Sequence, residues 1–451
     1  MTRATIHRGR RWLATLGVTL CVTACDVDLT VPNLNNPSAG GSATRSSVIA
    51  NAQGLLAQAR GVSTGLVGTF GIWGRESYNL APEEPRPFQD NLVGPRDPNS
   101  FGSGSGFNYG VLVNVRALLE GVDVVSNMTE PEKEGVRGWA KTVAAFAYSQ
   151  TALVYPEFGA PLEPPSNPTG ELAAVATGPQ LYDRAIQLFD EAYQHLQNAG
   201  TTFAFSLTPG FAGFNTPTTF ARLNRALKAR TLKYKGDWQG TLTALQQSFL
   251  DANADLALGV YHNYFAADNA FNPFFSPRTT YMHPRILTDA QRKANGQKDD
   301  RAVSKTVAVT SFTLAGITVT EKPNMFPTNV SPFPWITNEE LILLRAEARR
   351  ATGDEAGALA DINIVRTNAG GLAPATGLTG NALLTELLYN KLYSLLFQGG
   401  YAYWDARQYN RLTQLPKALP THVVFDRVNW PSNECIARHI VDGPCGSIEG
   451  H

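Results

Sequence analysis

The segments RALKARTLKYKGDWQGTLTAL (225–245) and LRAEARRATGDEAGALADI (344–362) follow one plan: a helix with an apolar stripe, a Gly-Asp turn, then a second helix. Gly236 and Gly353 stand where the first helix of each pair must end, because a residue without a Cβ enters the left-handed region at least cost. Asp237 and Asp354 follow as caps whose carboxylates can accept from the first free N–H groups of the next helix. Ala229 and Ala346 each lie seven positions before the glycine and let neighbouring helices approach closely. One hairpin cannot bury its own apolar face, so units of this kind must stack. The pattern predicts an all-α chain, a tetratricopeptide-like helical-repeat scaffold.

Other stretches extend the same reading. In 136–154, Val136, Trp139, Ala140, Val143, Ala147 and Val154 recur at helical spacing, and in 182–196 Tyr182, Ala185, Ile186, Phe189, Ala192, Tyr193 and Leu196 share a face. The 383–397 segment, with Leu384, Leu387, Leu388, Leu392 and Leu395, adds a further helix. Trp139 and Trp238, at repeat positions, are expected in the core. Long non-periodic stretches, chiefly 62–110, 156–178, 199–217 and 262–334, interrupt the helices and carry Pro, Gly, Asn and aromatics. Irregular insertions of that length usually carry function, so they are the expected working surface.

Basic and acidic residues balance at 38 each, so bulk charge selects neither nucleic acid nor an acidic surface as partner. At the N-terminus, a basic run ending at Arg11 precedes the apolar stretch WLATLGVTLCVTA, the layout of a signal peptide over 1–24. Val22, Thr23, Ala24 and Cys25 read as a lipobox, which predicts a lipid on Cys25 and anchorage by acyl chains. Residues 25–45 are rich in Asn, Pro, Gly and Ser and read as a tether, leaving 46–451 as the folded binding domain. In that domain Cys435 and Cys445 are the disulfide candidate. With His439 between them they also make an incomplete metal-ligand set, the other reading.

No complete catalytic signature occurs, neither His-Glu-x-x-His, nor Gly-x-Ser-x-Gly, nor a phosphate-binding Gly-x-x-x-x-Gly-Lys. The chain is read as no enzyme, with no cofactor and no metal. FGSGSGFNYG (101–110) lacks the lysine of a nucleotide loop and reads as a flexible loop. Asp251, Asn253 and Asp255 open like a calcium loop, but Leu256 replaces the required Gly and His262 the bidentate Glu. Aromatics in the insertions are the remaining candidates, since a ring stacks on the apolar face of a sugar while Asn or Arg bonds its hydroxyls. The ligand-binding candidates are Trp73, Arg75, Tyr78 and Phe88 in the first insertion, with Tyr264, Phe274 and Phe275 in the last.

Taken in order along the chain, the lipobox and DLTVPNLNNP (28–37), EGVRGWAKTVAAFAYSQTALVYPEFGAPL (134–162), GDW (236–238), KDDR (298–301), PFPWITNEELILLRAEARRATGD (332–354) and TELLYNKLYSLLFQGGYAYWDARQYNRL (385–412) resemble the SusD/RagB family. The chain departs from that pattern at Lys391 and Gln398, where the family often has acidic residues. The resemblance implies a surface-exposed outer-membrane lipoprotein that binds an oligosaccharide or peptide, the glycan preferred. It would pass that ligand to a TonB-dependent SusC-like transporter. A periplasmic tetratricopeptide-type lipoprotein that assembles other proteins is the alternative, and the long aromatic insertions argue against it.

Overall fold

The computed structural model describes residues 43–164, 170–275 and 277–451. The predicted signal peptide, Cys25 and most of the tether lie outside the described residues. The scaffold consists of α1 (Arg45–Thr64), α2 (Tyr109–Val124), α3 (Glu130–Val154), α4 (Gly178–Asn198), α5 (Pro217–Lys235), α6 (Trp238–Gln246), α7 (Asn338–Ala351), α8 (Glu355–Asn368), α9 (Gly380–Ser394) and α10 (Tyr401–Gln408). Each helix from α3 to α8 packs on the next, α9 packs on α7 and α8, and α10 follows on α9. This is the stacked-hairpin arrangement of an all-α repeat protein. Among the described residues no helix is long and apolar enough to cross a membrane.

The two Gly-Asp turns behave alike. Gly236 and Gly353 take φ of 88° and 93°, and the carboxylates of Asp237 and Asp354 accept from Gly240 and Gly357 N–H, both at 2.8 Å. Close packing elsewhere depends on a different glycine. A Cβ on Gly138 of α3 would lie 2.6 Å from the Leu196 side chain of α4, so the absent atom sets how near those helices come. Trp139 is fully buried and donates to Ala52 O at 2.8 Å. Trp238 is only half-buried, a correction to its expected core position: it opens α6 directly after an exposed turn and has little to pack against.

The insertions are less irregular than their sequence. Short strands β1 (Ser77–Asn79), β2 (Ala160–Pro161), β3 (Val175–Ala176), β4 (Gly259–His262), β5 (Thr280–Met282), β6 (Thr306–Leu314), β7 (Ile317–Pro323) and β8 (Phe333–Thr337) form antiparallel pairs: β1 with β5, β2 with β3, β4 with β8, and β6 with β7. In the β6–β7 hairpin, Ala315 and Gly316 form the two-residue turn at φ 50° and 79°, the handedness that suits the twist of paired strands. FGSGSG is likewise packed: Cβ atoms on Gly102, Gly104 and Gly106 would strike Thr69, Pro431 and Val154 at 2.4, 2.8 and 2.8 Å.

Separate apolar cores divide the work. One fills the repeat around Trp139, Phe189 and Leu223, with Phe205 and Phe211 from the 199–217 insertion closing over it. A second gathers Trp73, Trp404 and Trp430, joining the first insertion to the C-terminal segment.

Candidate functional site

Burial separates the sequence candidates. Trp73, Arg75 and Tyr78 are each 1% exposed, Phe88 is 9% and Tyr264 6%, so these five expectations are corrected: the side chains have almost no surface to offer a ligand. Each has a structural occupation instead. Trp73 Nε1 donates to Asn91 Oδ1 at 2.8 Å, and the Arg96 guanidinium lies over its ring at 5.0 Å. Arg75 spends its donors on Pro416 O, Ile72 O and Val423 O at 2.9, 3.0 and 2.8 Å, clamping the first insertion to the C-terminal segment. Burial pushes that guanidinium down to about 10. Tyr78 stacks on His283 at 4.8 Å, Phe88 lies 5.8 Å from His422, and Tyr264 sits under Arg60. Next to Arg75, the Glu76 carboxylate accepts from Phe397 and Ala402 N–H. Its burial pushes it up to about 7.

Phe274 is half-buried among Phe326, Phe333 and Phe397, and Phe275 remains 39% exposed. Cys435 and Cys445 are joined by a disulfide beneath the C-terminal helical turn.

A cleft of about 960 Å³ opens between the end of the repeat and the 262–334 insertion. That volume suits a small oligomer. One wall is the 252–257 loop after α6, shaped by Asp251 and Asp255, whose carboxylates accept from Asn253 and Ala257 N–H at 2.9 Å each. The calcium-like spacing is therefore a pair of Asx turns. Asn338 fixes this loop, accepting from Asp251 N–H and donating to Asp251 O and Asp255 O. Opposite stand Met325 and Phe326, the latter backed by Phe274 at 6.0 Å. Tyr261 also lines the cleft, its hydroxyl donating to Ala257 O at 2.6 Å.

The charged residues of the cleft are Lys305, Glu339 and Asp255. KDDR explains the first. Asp299 grips the Arg301 guanidinium at 2.6 and 3.0 Å, and Arg301 donates to Asn390 and Ser394 of α9. This fastens the insertion to the repeat and brings Lys305 against the α9 carbonyl end, where Nζ donates to Tyr393 O and Ser394 O at 2.6 and 2.8 Å. Burial draws its ammonium down to about 8, while the Glu339 carboxylate pulls the other way.

Sequence reasoning named Asn253, Asp255 and Gln398 without placing them in a site, and passed over Lys305, Phe326 and Glu339. The Pro-flanked aromatics of KPNMFPTNVSPFPW were the signal available for this wall.

No protein-family description and no curated protein matches the sequence. Solved structures do. A SusD superfamily protein from Bacteroides vulgatus ATCC 8482 superposes with a TM-score of 0.63 at 15% identity, over 84% of this chain and 91% of that one. NanU of B. fragilis gives 0.62 at 14%, over 84% and 92%. A SusD-like carbohydrate binding protein from Bacteroides vulgatus ATCC 8482 gives 0.56 at 14%, over 78% and 81%. At these identities the likeness is one of fold, and the fold is SusD-like.

Proposed function

We propose that this chain is a nutrient-binding lipoprotein of the outer membrane. It holds an oligomer, a glycan in preference to a peptide, in the cleft between repeat and insertion and passes it to a TonB-dependent SusC-like transporter. The observation that carries the reading is the SusD-like fold shared over most of the chain, with one such structure described as carbohydrate binding. The cleft supplies what binding a sugar requires: the half-buried ring of Tyr261 for its apolar face, and the amides of Asn253, Asn368 and Gln398 for its hydroxyls. Lipid attachment at Cys25 would hold the domain at the membrane while the 25–45 tether gives it reach.

Calorimetry against a panel of oligosaccharides and oligopeptides tests the reading. Tyr261→Ala should weaken the best ligand by about tenfold, the loss of roughly 1–2 kcal/mol of ring contact. Phe326, 8% exposed and packed on Phe274 and Phe333, backs this wall from the core. Unchanged affinity in this variant removes the cleft as the binding site. Co-purification with a TonB-dependent barrel from native membranes checks the partner.

A further inference from the structure

The cleft sets two carboxylates, Glu339 and Asp255, against one cation, Lys305. Glu339, at the second position of α7, has its Oε1 buried with no hydrogen-bond partner. A carboxylate oxygen in that state costs free energy that an incoming donor recovers. Asp255 adds a second carboxylate at the rim. α8 ends at Asn368 and α9 at Ser394, so two helices direct their carbonyl ends, and the negative ends of their dipoles, toward this space. Among the described lining residues Lys305 is the one cation. Two of its three N–H donors already serve Tyr393 O and Ser394 O.

We infer that the ligand carries a protonated primary amine, seated on the Glu339 carboxylate, with its apolar face against Tyr261. This rests on the reading of the cleft as the nutrient site. Two sources supply such a group, an amino sugar with its nitrogen free and a lysine side chain, and both present the same charged N–H donors to Glu339.

The test is calorimetry on the folded chain near neutral pH with four probes: a glucosamine tetramer, its fully N-acetylated counterpart, tetralysine, and tetralysine acetylated on its side chains. At least one amine form should bind about tenfold or more tightly than its acetylated partner, the gain of one charge-assisted hydrogen bond. Glu339→Gln should abolish that preference, bringing the affinity for the amine form down to that for its acetylated partner. Asp255→Asn, at an exposed position, should reduce it in part and keeps the test decisive if Glu339→Gln lowers the melting temperature. Which amine form binds identifies the source. Equal affinity for free and acetylated forms overturns the inference while the nutrient-binding reading stands. A preference that survives in both variants also overturns it, because the amine then sits elsewhere. If none of the four binds but a neutral oligosaccharide does, the amine inference fails alone, and if no oligomer of any kind binds, both fail.

Discussion

Lys233, Glu347, Lys391 and Asp405 form a closed ring of charge inside the repeat. Each lysine meets both carboxylates, at 3.1 and 2.7 Å for Lys233 and at 2.7 and 2.8 Å for Lys391. Their side chains are at most 5% exposed, and the Tyr409 hydroxyl donates to Glu347 at 2.7 Å. Such a ring does little for stability compared with a well-packed apolar core, but removing one member leaves an uncompensated buried charge. Lys391→Met should therefore lower stability by about 3–5 kcal/mol in urea denaturation. Burial would raise the Glu347 carboxyl, yet the two ammonium groups win and hold it well below its ordinary 4.5. A depressed carboxylate stabilises fully above its unfolded pKa and loses that contribution as pH falls toward the folded value. The wild type should thus become acid-sensitive below about pH 4.5, and Lys391→Met less steeply so. Lys391 was visible in the sequence only as a departure from an acidic pattern. The other three members of the ring lie on three other helices, a relation that no local period encodes.

Among the helices and turns, glycine does two different jobs, and substitution distinguishes them. Gly236 needs its conformation alone: a Cβ there meets nothing within 4 Å, so Gly236→Ala should cost about 1 kcal/mol, the strain of a left-handed alanine. Gly138 needs space: its helical backbone accepts any residue, but a Cβ would overlap Leu196, so Gly138→Ala should cost about 1–3 kcal/mol by forcing α3 from α4. Thermal denaturation of the two variants checks the order, and Gly236→Asn should recover part of its loss where Gly138→Ser should not. The hairpin turns were legible because glycine, cap and stripe lie within one short stretch. The β6–β7 hairpin was not read: TVAVTSFTL and ITVTEKP alternate, but they lie in the 262–334 stretch taken as non-periodic, and an alanine where Asn or Gly is usual hid the turn. Nor was the cleft. Its walls come from the 252–261, 305–339, 364–369 and 394–398 stretches, and only the packed repeat brings them together. The aromatics of the first insertion misled for a related reason: a long insertion needs a core of its own, and Trp73 and Tyr78 supply it.

Across the whole molecule, the C-terminal segment is fastened to distant parts. Trp430 Nε1 donates to Gly159 O at 2.9 Å, Arg438 to Ala173 O at 2.8 Å, and Ile448 pairs with Arg96 as an isolated bridge. The Cys435–Cys445 bond spans ten residues of this segment, so by loop-closure entropy its loss should cost no more than about 3 kcal/mol. The double variant Cys435→Ser, Cys445→Ser should keep its helical circular dichroism and show faster proteolysis confined to 430–451. Global unfolding under mild reduction would contradict that placement.

The Arg75 clamp has a consequence for how the chain is made. Its guanidinium is satisfied by Pro416 and Val423, and Glu76 beside it by Phe397 and Ala402, so residues near the start wait for partners synthesised near the end. The repeat, built from neighbours in sequence, can form as it emerges, whereas the second core is a non-local contact that closes last. Until then Trp73 and Phe70 are bare apolar surface, open for the whole interval between synthesis of the first insertion and of the last residues.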